Sequence, residues 1–464
     1  MPDLRVPVFK LLGLHDMSRH KYRTTFSLPY FLFSMVFVCT IFSPFSFSAE
    51  IEYYLGFSET ISSNITKSTD EEFGSSQTFS LGGSGSKEFD LVSFGVDGAL
   101  THTIQDDALS YLAQDNQMTG AAYMNFDIIE NLFTWNNSIS SSQVLLNPFA
   151  SNRADNLSDV IIFTSKPEFT FRLGSVDEIM VSSALNRYEQ RWLYDSQRFE
   201  HMLEWRHTLK NGRLSVNATY LDVDNEISDT DYVSRSAYAS VLHRFRLLTL
   251  STRLGLTSIL YELSGDEIEN EIIELKANWK ISEKINVNLG FDRSSADSLE
   301  EYSFNLSDFS DFGAQFGIQQ EFNEYRFNLT KTDNSYLVMQ YLPGSNDIRV
   351  GVNNINRENL VDEKLTNASN EKRISIFWDR PLTARTDFSF SHAYSEVEFN
   401  VNAVVESSVT NLSFNRASRR NLSIVLDLAA ESQKTIFGNQ IPGENISSFD
   451  DISVVLTVRY TGIL

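Results

Sequence analysis

Five histidines beyond residue 49, His102, His201, His207, His243 and His392, are the side chains best placed by type for proton transfer or metal ligation near neutral pH. They form no His-x-x-x-His pair and no HExxH arrangement, so no local zinc motif is written into the chain. The single cysteine, Cys39, lies in an N-terminal apolar segment. Once that segment is removed, thiolate nucleophile, disulfide and thiolate metal site are all excluded. A Gly-x-Ser-x-Gly elbow is also missing. These residues point to a non-enzyme with neither cofactor nor metal; a Ser/His or Asp/His pair assembled across strands would leave no local signature.

The densest mixed stretch runs from Arg187 to Asp195. There Arg187, Tyr188, Arg191, Trp192 and Tyr194 offer stacking faces and donors to sugar rings, or else make an interfacial aromatic girdle with charges at a strand end. The acidic runs Asp70-Glu71-Glu72, Asp266-Glu267 and Asp450-Asp451 lack the spacing of a calcium loop and read as solvated surface. The formal net charge is -23 and no basic tract stands out, which excludes nucleic acid as a partner.

The elements that must carry these residues are strands. Beyond Glu50 apolar and polar residues alternate with period two in segments of about ten. Leu248, Leu250, Thr252, Leu254 and Leu256 alternate with Thr249, Ser251, Arg253 and Gly255; Leu422, Ile424, Leu426 and Leu428 alternate with Ser423, Val425 and Asp427. In a strand the two sets point to opposite faces. Tight turns are expected at 210–212, 282–284, 322–324, 343–346, 380–382 and 418–419, and long polar loops at 224–231, 263–270, 357–371 and 433–450. The polar set carries Arg172, Arg206, Arg244, Arg253, Lys276, Arg326 and Arg416, which suit a wet lumen better than a dry core. Short turns at one rim and long acidic loops at the other are the rhythm of a membrane barrel. The expected fold is all-β, a transmembrane antiparallel β-barrel of about 18 strands (range 16–20), with both termini at the short-turn rim.

Export is written at the front. Arg19, Lys21 and Arg23 precede the apolar run 28–41, and Ser46-Phe47-Ser48-Ala49 offers cleavage after Ala49 or Ser48. Residues 1–49 thus read as a signal peptide with an upstream extension, Met17 being the expected start; the run is short for a membrane anchor. Residues 50–86 read as an N-terminal strand and a Ser/Gly-rich linker outside the barrel, and 87–464 as the barrel. The final strand ends in Leu464, apolar where such barrels usually end in an aromatic residue.

The stretch 136–171 holds Leu146, Asn147, Pro148, Phe149, then Asp155, Asn156, Leu157, Ser158, then Ser165, Pro167, Phe169, and the opening segment reads YYLGFSETISSNI from Tyr53. It resembles a family of outer-membrane β-barrels associated with PEP-CTERM/exosortase systems and exopolysaccharide loci. The resemblance implies a place near cell-surface polysaccharide export and supplies no active site. From its own residues, the connection 143–159 carries an apolar cluster in polar sequence. Leu145, Leu146, Asn147, Pro148, Phe149, Asp155 and Asn156 either fold inward and constrict the lumen or cover the barrel rim. The expectation is therefore passive passage or export of an exopolysaccharide across a Gram-negative outer membrane, or else a general porin or a structural, adhesive barrel. Expected partners are outer-membrane lipid and lipopolysaccharide, the barrel-insertion machinery and polysaccharide export components.

Overall fold

The computed structural model describes residues 51–64, 73–89, 91–106, 113–145, 157–190, 195–226, 231–262, 264–297, 329–360, 369–399, 403–419, 421–437 and 448–463. Among them there is no helix; twenty strands make one antiparallel sheet. The first five are β1 (Ile51–Ser62), β2 (Gly74–Glu88), β3 (Val92–Asp106), β4 (Ala113–Ile129) and β5 (Phe133–Leu145). Then come β6 (Leu157–Leu173), β7 (Asp177–Gln190), β8 (Ser196–Leu209), β9 (Gly212–Asn225) and β10 (Tyr232–Arg244). The second half holds β11 (Leu248–Tyr261), β12 (Glu267–Ser282), β13 (Ile285–Asp297), β14 (Leu329–Tyr341) and β15 (Asp347–Asn359). It ends with β16 (Ser369–Thr383), β17 (Thr386–Phe399), β18 (Ala403–Arg419), β19 (Leu422–Phe437) and β20 (Phe449–Ile463).

Each strand pairs with its neighbour in sequence, and β20 returns to β1 with Arg459 opposite Gly56, so the sheet closes. Closure leaves no strand edge to aggregate or to meet lipid unpaired. Connections from even to odd strands span two to five residues, whereas those from odd to even span three to thirty-one. Gly174, at φ 81°, and Gly344, at φ 68°, supply the left-handed residue that two of the short turns need. Both the start of β1 and the end of β20 lie at the short-turn rim.

Alternation around the closed register divides every strand into an inward and an outward set. Of the large apolar side chains exposed within the strands, such as Leu81, Leu203, Leu254, Leu256 and Ile452, only Tyr123 falls on the inward set. Outward aromatics gather toward the short turns: Phe133 stacks on Phe169 at 4.3 Å, the Phe388 and Phe414 rings meet tilted at 5.0 Å, and Trp378 meets Phe388 edge-on at 5.4 Å. An apolar belt with an aromatic girdle is the surface of a membrane-spanning barrel. Strands of 12 to 17 residues make a wall roughly 30 to 40 Å tall at the usual tilt, taller than a ~25 Å apolar band. The excess places outward ion pairs such as Arg293–Asp333 (2.7 Å) and Lys372–Glu396 (3.3 Å) near the long-loop ends of their strands.

The strand count is 20, within the expected range of 16–20. Other expectations are corrected. Residues 51–62 and 74–88 are wall strands, not a strand and linker outside the barrel; only 63–73 is a connection. Glycine weakens a strand by leaving no side chain to pack, which is why this stretch reads as linker. Here the ring of Tyr54 lies over Gly82 and fills the gap from the next strand. Pro381 sits inside β16 beside a register shift, and the turn comes at 384–385 instead of 380–382. Arg172, Arg206, Arg244, Arg253 and Lys276 fall on the inward set, but Arg416 falls on the outward one, near the turn at 420–421. Arg326 and the turn expected at 322–324 lie outside the described residues.

Candidate functional site: the lumen wall

With twenty strands about 4.8 Å apart and tilted, opposite backbones stand roughly 40 Å apart. Wall side chains alone cannot span that distance. Register divides the wall into two arcs of contrasting chemistry.

On β6–β16 the inward side chains are long, charged and tied together. Glu371, 3% exposed, lies between Arg357 (3.4 Å) and Arg373 (2.9 Å). Glu274, 8% exposed, lies between Arg253 (3.4 Å) and Lys276 (3.5 Å), and the Arg253 guanidinium stacks 4.9 Å over the Tyr238 ring. Glu204 accepts a 2.7 Å hydrogen bond from Arg206. Lys166–Glu168, Arg172–Glu178 and Arg349–Asp347 complete these pairs. With Arg198, Arg213, Arg244 and Lys280 added, twelve cations of this arc stand with nine carboxylates, the remaining three being Glu200, Asp292 and Asp379. The carboxylates of Glu204, Glu274 and Glu371 are tolerable this far from water because each is paired with a cation.

On β17–β20 and β1–β5 the inward residues are short and hydroxylic. Ser389, Ser391, Ser395, Ser407 and Ser413 line β17 and β18; Ser58, Thr60, Ser76, Thr78 and Ser80 line β1 and β2. Hydroxyls bond across strands, as in Ser395–Ser407 (2.7 Å) and Thr78–Thr103 (3.0 Å). Glycines here are packing positions: Gly82 lies under Tyr54 and Gly95 under Tyr123, where a Cβ would collide with the ring. The charge is one-sided. Among the described side chains Asp97, Asp427, Glu431 and Asp451 stand within the wall and Glu52, Glu88, Asp127 and Asp387 toward the short turns, against one inward cation, Arg459. Arg459 stacks on Tyr54 at 3.9 Å. Asp451 accepts from Ser62 Oγ at 2.6 Å and from the Asn64 amide at 3.1 Å, joining β20 to the end of β1.

The residues singled out from sequence do not come together as one surface. Leu145 is the last residue of β5, opposite Leu157. Leu146, Asn147, Pro148, Phe149, Asp155 and Asn156 lie outside the described residues, as do Arg191, Trp192 and Tyr194. Adjacent in β7, Arg187 and Tyr188 face opposite ways. Arg187 is outward and pairs with Glu189 at 2.8 Å, while Tyr188 is inward and 3% exposed, with the Arg198 guanidinium 4.8 Å from its ring. A period of two makes any consecutive pair diverge, so a run of mixed residues is not a site in a strand.

One pair escaped sequence reasoning. Ser183 and His201, directly opposite on β7 and β8, share a 2.9 Å hydrogen bond on the outward face. They border a shallow groove of 390 Å³ lined by Pro167, Phe169, Val181, Leu203 and Tyr220. Among the described residues no carboxylate hydrogen-bonds His201, so the orienting third member of a hydrolytic triad is missing. Outward polar rungs of the same kind, His392–Thr410 (2.8 Å) and Trp135–Ser165–Asn137 (3.0 and 2.8 Å), identify the pair as mutual satisfaction of polar groups on an apolar surface. Among the described residues no cluster of three His, Cys, Asp or Glu is arranged to hold a metal.

No protein-family model matches the chain, and no curated protein does. Solved structures do match. The FrpB iron transporter of Neisseria meningitidis (F5-1 variant) is 8% identical, with 89% of this chain and 82% of that chain covered and a TM-score of 0.51. A mutant ferric enterobactin receptor of Pseudomonas aeruginosa, in complex with enterobactin, is 11% identical over 89% and 82% of the two chains, with a TM-score of 0.50. At such identity the likeness is one of fold. The class defined by the fold is the large outer-membrane-type β-barrel.

Proposed function

We propose that this chain passes or exports a cell-surface polysaccharide across the outer membrane passively, through its own lumen. The observation that carries the reading is the hydroxyl-lined arc of β17–β20 and β1–β5. Short Ser and Thr side chains let a hydrated sugar exchange water hydrogen bonds for wall hydroxyls with little desolvation cost and little steric friction. The resemblance to barrels of exosortase-associated polysaccharide loci supports the same cargo. Iron cargo is named for the structural neighbours, but 8–11% identity carries no binding residue to this chain. The reading places the mature protein in the outer membrane after cleavage near Ala49, inserted by the barrel-assembly machinery, contacting lipopolysaccharide and working with polysaccharide export components.

The test has two stages. The tagged protein is expected in the outer-membrane fraction as a heat-modifiable band, and a periplasmic, unmodifiable protein would remove the membrane reading. Deletion of its gene is then expected to deplete surface polysaccharide while leaving uptake of small sugars unchanged. The opposite pattern, small-solute permeability lost and polysaccharide intact, would make the protein a general porin.

A further inference from the structure

The formal charge of -23 does not by itself say what the lumen selects, because loop and lumen charges are not separated in a sequence. The closed register separates them. We infer that the lumen is electrically polarised across its width and conducts cations along the β17–β20/β1–β5 arc, so that the polymer it passes is neutral and not polyanionic.

Two independent observations support this. The first is the partition of charge: among the described side chains the hydroxyl arc sets eight carboxylates against Arg459, while the opposite arc sets twelve cations against nine carboxylates. The second is accessibility. The charged arc spends six of its nine carboxylates on neighbouring cations, with Glu204, Glu274 and Glu371 all under 9% exposed. In the hydroxyl arc Asp97 and Asp387 are exposed and Asp427 is half-buried; among the described residues none of these three makes an ion pair. Short neighbours cannot reach them, so their field extends into the water of the lumen. A low-dielectric wall focuses such a field and concentrates mobile cations beside it. A polyanion would meet that arc with repulsion, while a neutral saccharide would keep the hydroxyl contacts.

The inference rests on the passage reading, and the experiment separates their failures. The purified, heat-modifiable protein is inserted into a planar bilayer under a potassium chloride gradient, and reversal potential gives the permeability ratio of potassium to chloride. The wild type is expected to favour potassium. The triple variant Asp97→Asn, Asp387→Asn, Asp427→Asn is expected to lower that ratio about threefold or more. A control with the same loss of three negative charges on the opposite arc, Glu178→Gln, Glu200→Gln, Asp292→Asn, is expected to lower it by less than half as much. Chloride preference in the wild type, or equal shifts in the two variants, would overturn the polarised lumen while leaving passage intact. A folded protein that passes neither ions nor oligosaccharides would overturn the passage reading and this inference with it.

Discussion

Along β6–β16 the lumen wall is built from long charged side chains locked to one another, and along β17–β20 and β1–β5 from hydroxyls and glycines that reach only their cross-strand neighbours. Both arcs present polar atoms inside a sheet whose other face is apolar, yet they depend on different partners. A buried carboxylate such as Glu371 has water largely replaced by two guanidinium groups, so its stability is bound to them. A hydroxyl such as that of Thr78 can trade its partner, the Thr103 hydroxyl, for water at small cost. The charged arc is therefore rigid scaffold, and the hydroxyl arc is a surface on which a solute can replace water.

Breaking the charged arc should have the largest effect. Glu371→Ala leaves Arg357 and Arg373 facing each other without their shared carboxylate and is expected to cost about 3–5 kcal/mol. Urea unfolding from lipid vesicles, followed by tryptophan fluorescence, would measure it. Asp427→Ala in the hydroxyl arc is expected within about 0.5 kcal/mol of wild type. Equal losses at the two sites would erase the distinction.

The comparison also requires lipid behind both arcs. Leu256, outward and 65% exposed on β11, is the position to test. Leu256→Arg should destabilise by about 2–4 kcal/mol in vesicles, and a neutral result would mean that this face meets water.

Glycine sharpens the contrast on a smaller scale. Gly82→Val in the hydroxyl arc must displace the Tyr54 ring and with it the stacked Arg459, at a cost of about 1–3 kcal/mol. At Gly351, in the charged arc, an added Cβ meets the Ser375 hydroxyl at 2.9 Å, an atom that can rotate away. Gly351→Ala is therefore expected to cost under about 1 kcal/mol. The temperature at which the folded gel band disappears would rank the two. Smallest of all, Ser395→Ala removes the 2.7 Å bond to Ser407 and should cost about 1 kcal/mol. A larger loss would mean that hydroxyl pairs, too, act as scaffold.

Much of the wall was legible in advance. Leu254 and Leu256 against Arg253 and Gly255 already assign two faces, because side chains in a strand can only alternate. The short turns at 210–211 and 283–284 announce themselves by polar, turn-forming residues. The wall was misread where a local rule gave way to a neighbour on the next strand. Gly82 and Gly83 signalled linker, and the ring that compensates for Gly82 belongs to Tyr54, twenty-eight residues earlier. Pro381 signalled a turn, and a register shift keeps it in β16. The candidate site failed for a different reason: Arg187 and Tyr188 are consecutive, and consecutive residues of a strand cannot share a surface.

By itself, then, the sequence determined a β protein with two chemically distinct faces, short turns at one rim and long loops at the other, because alternation and turn chemistry are properties of a few neighbouring residues. Only the tertiary structure decided that β20 meets β1, that Ser183 meets His201, and that the carboxylates of β19, β20, β1, β2 and β3 stand together along one side of the lumen. Those are relations between strands, set by cross-strand register and closure. They join residues such as Arg459 and Tyr54, which lie at opposite ends of the chain.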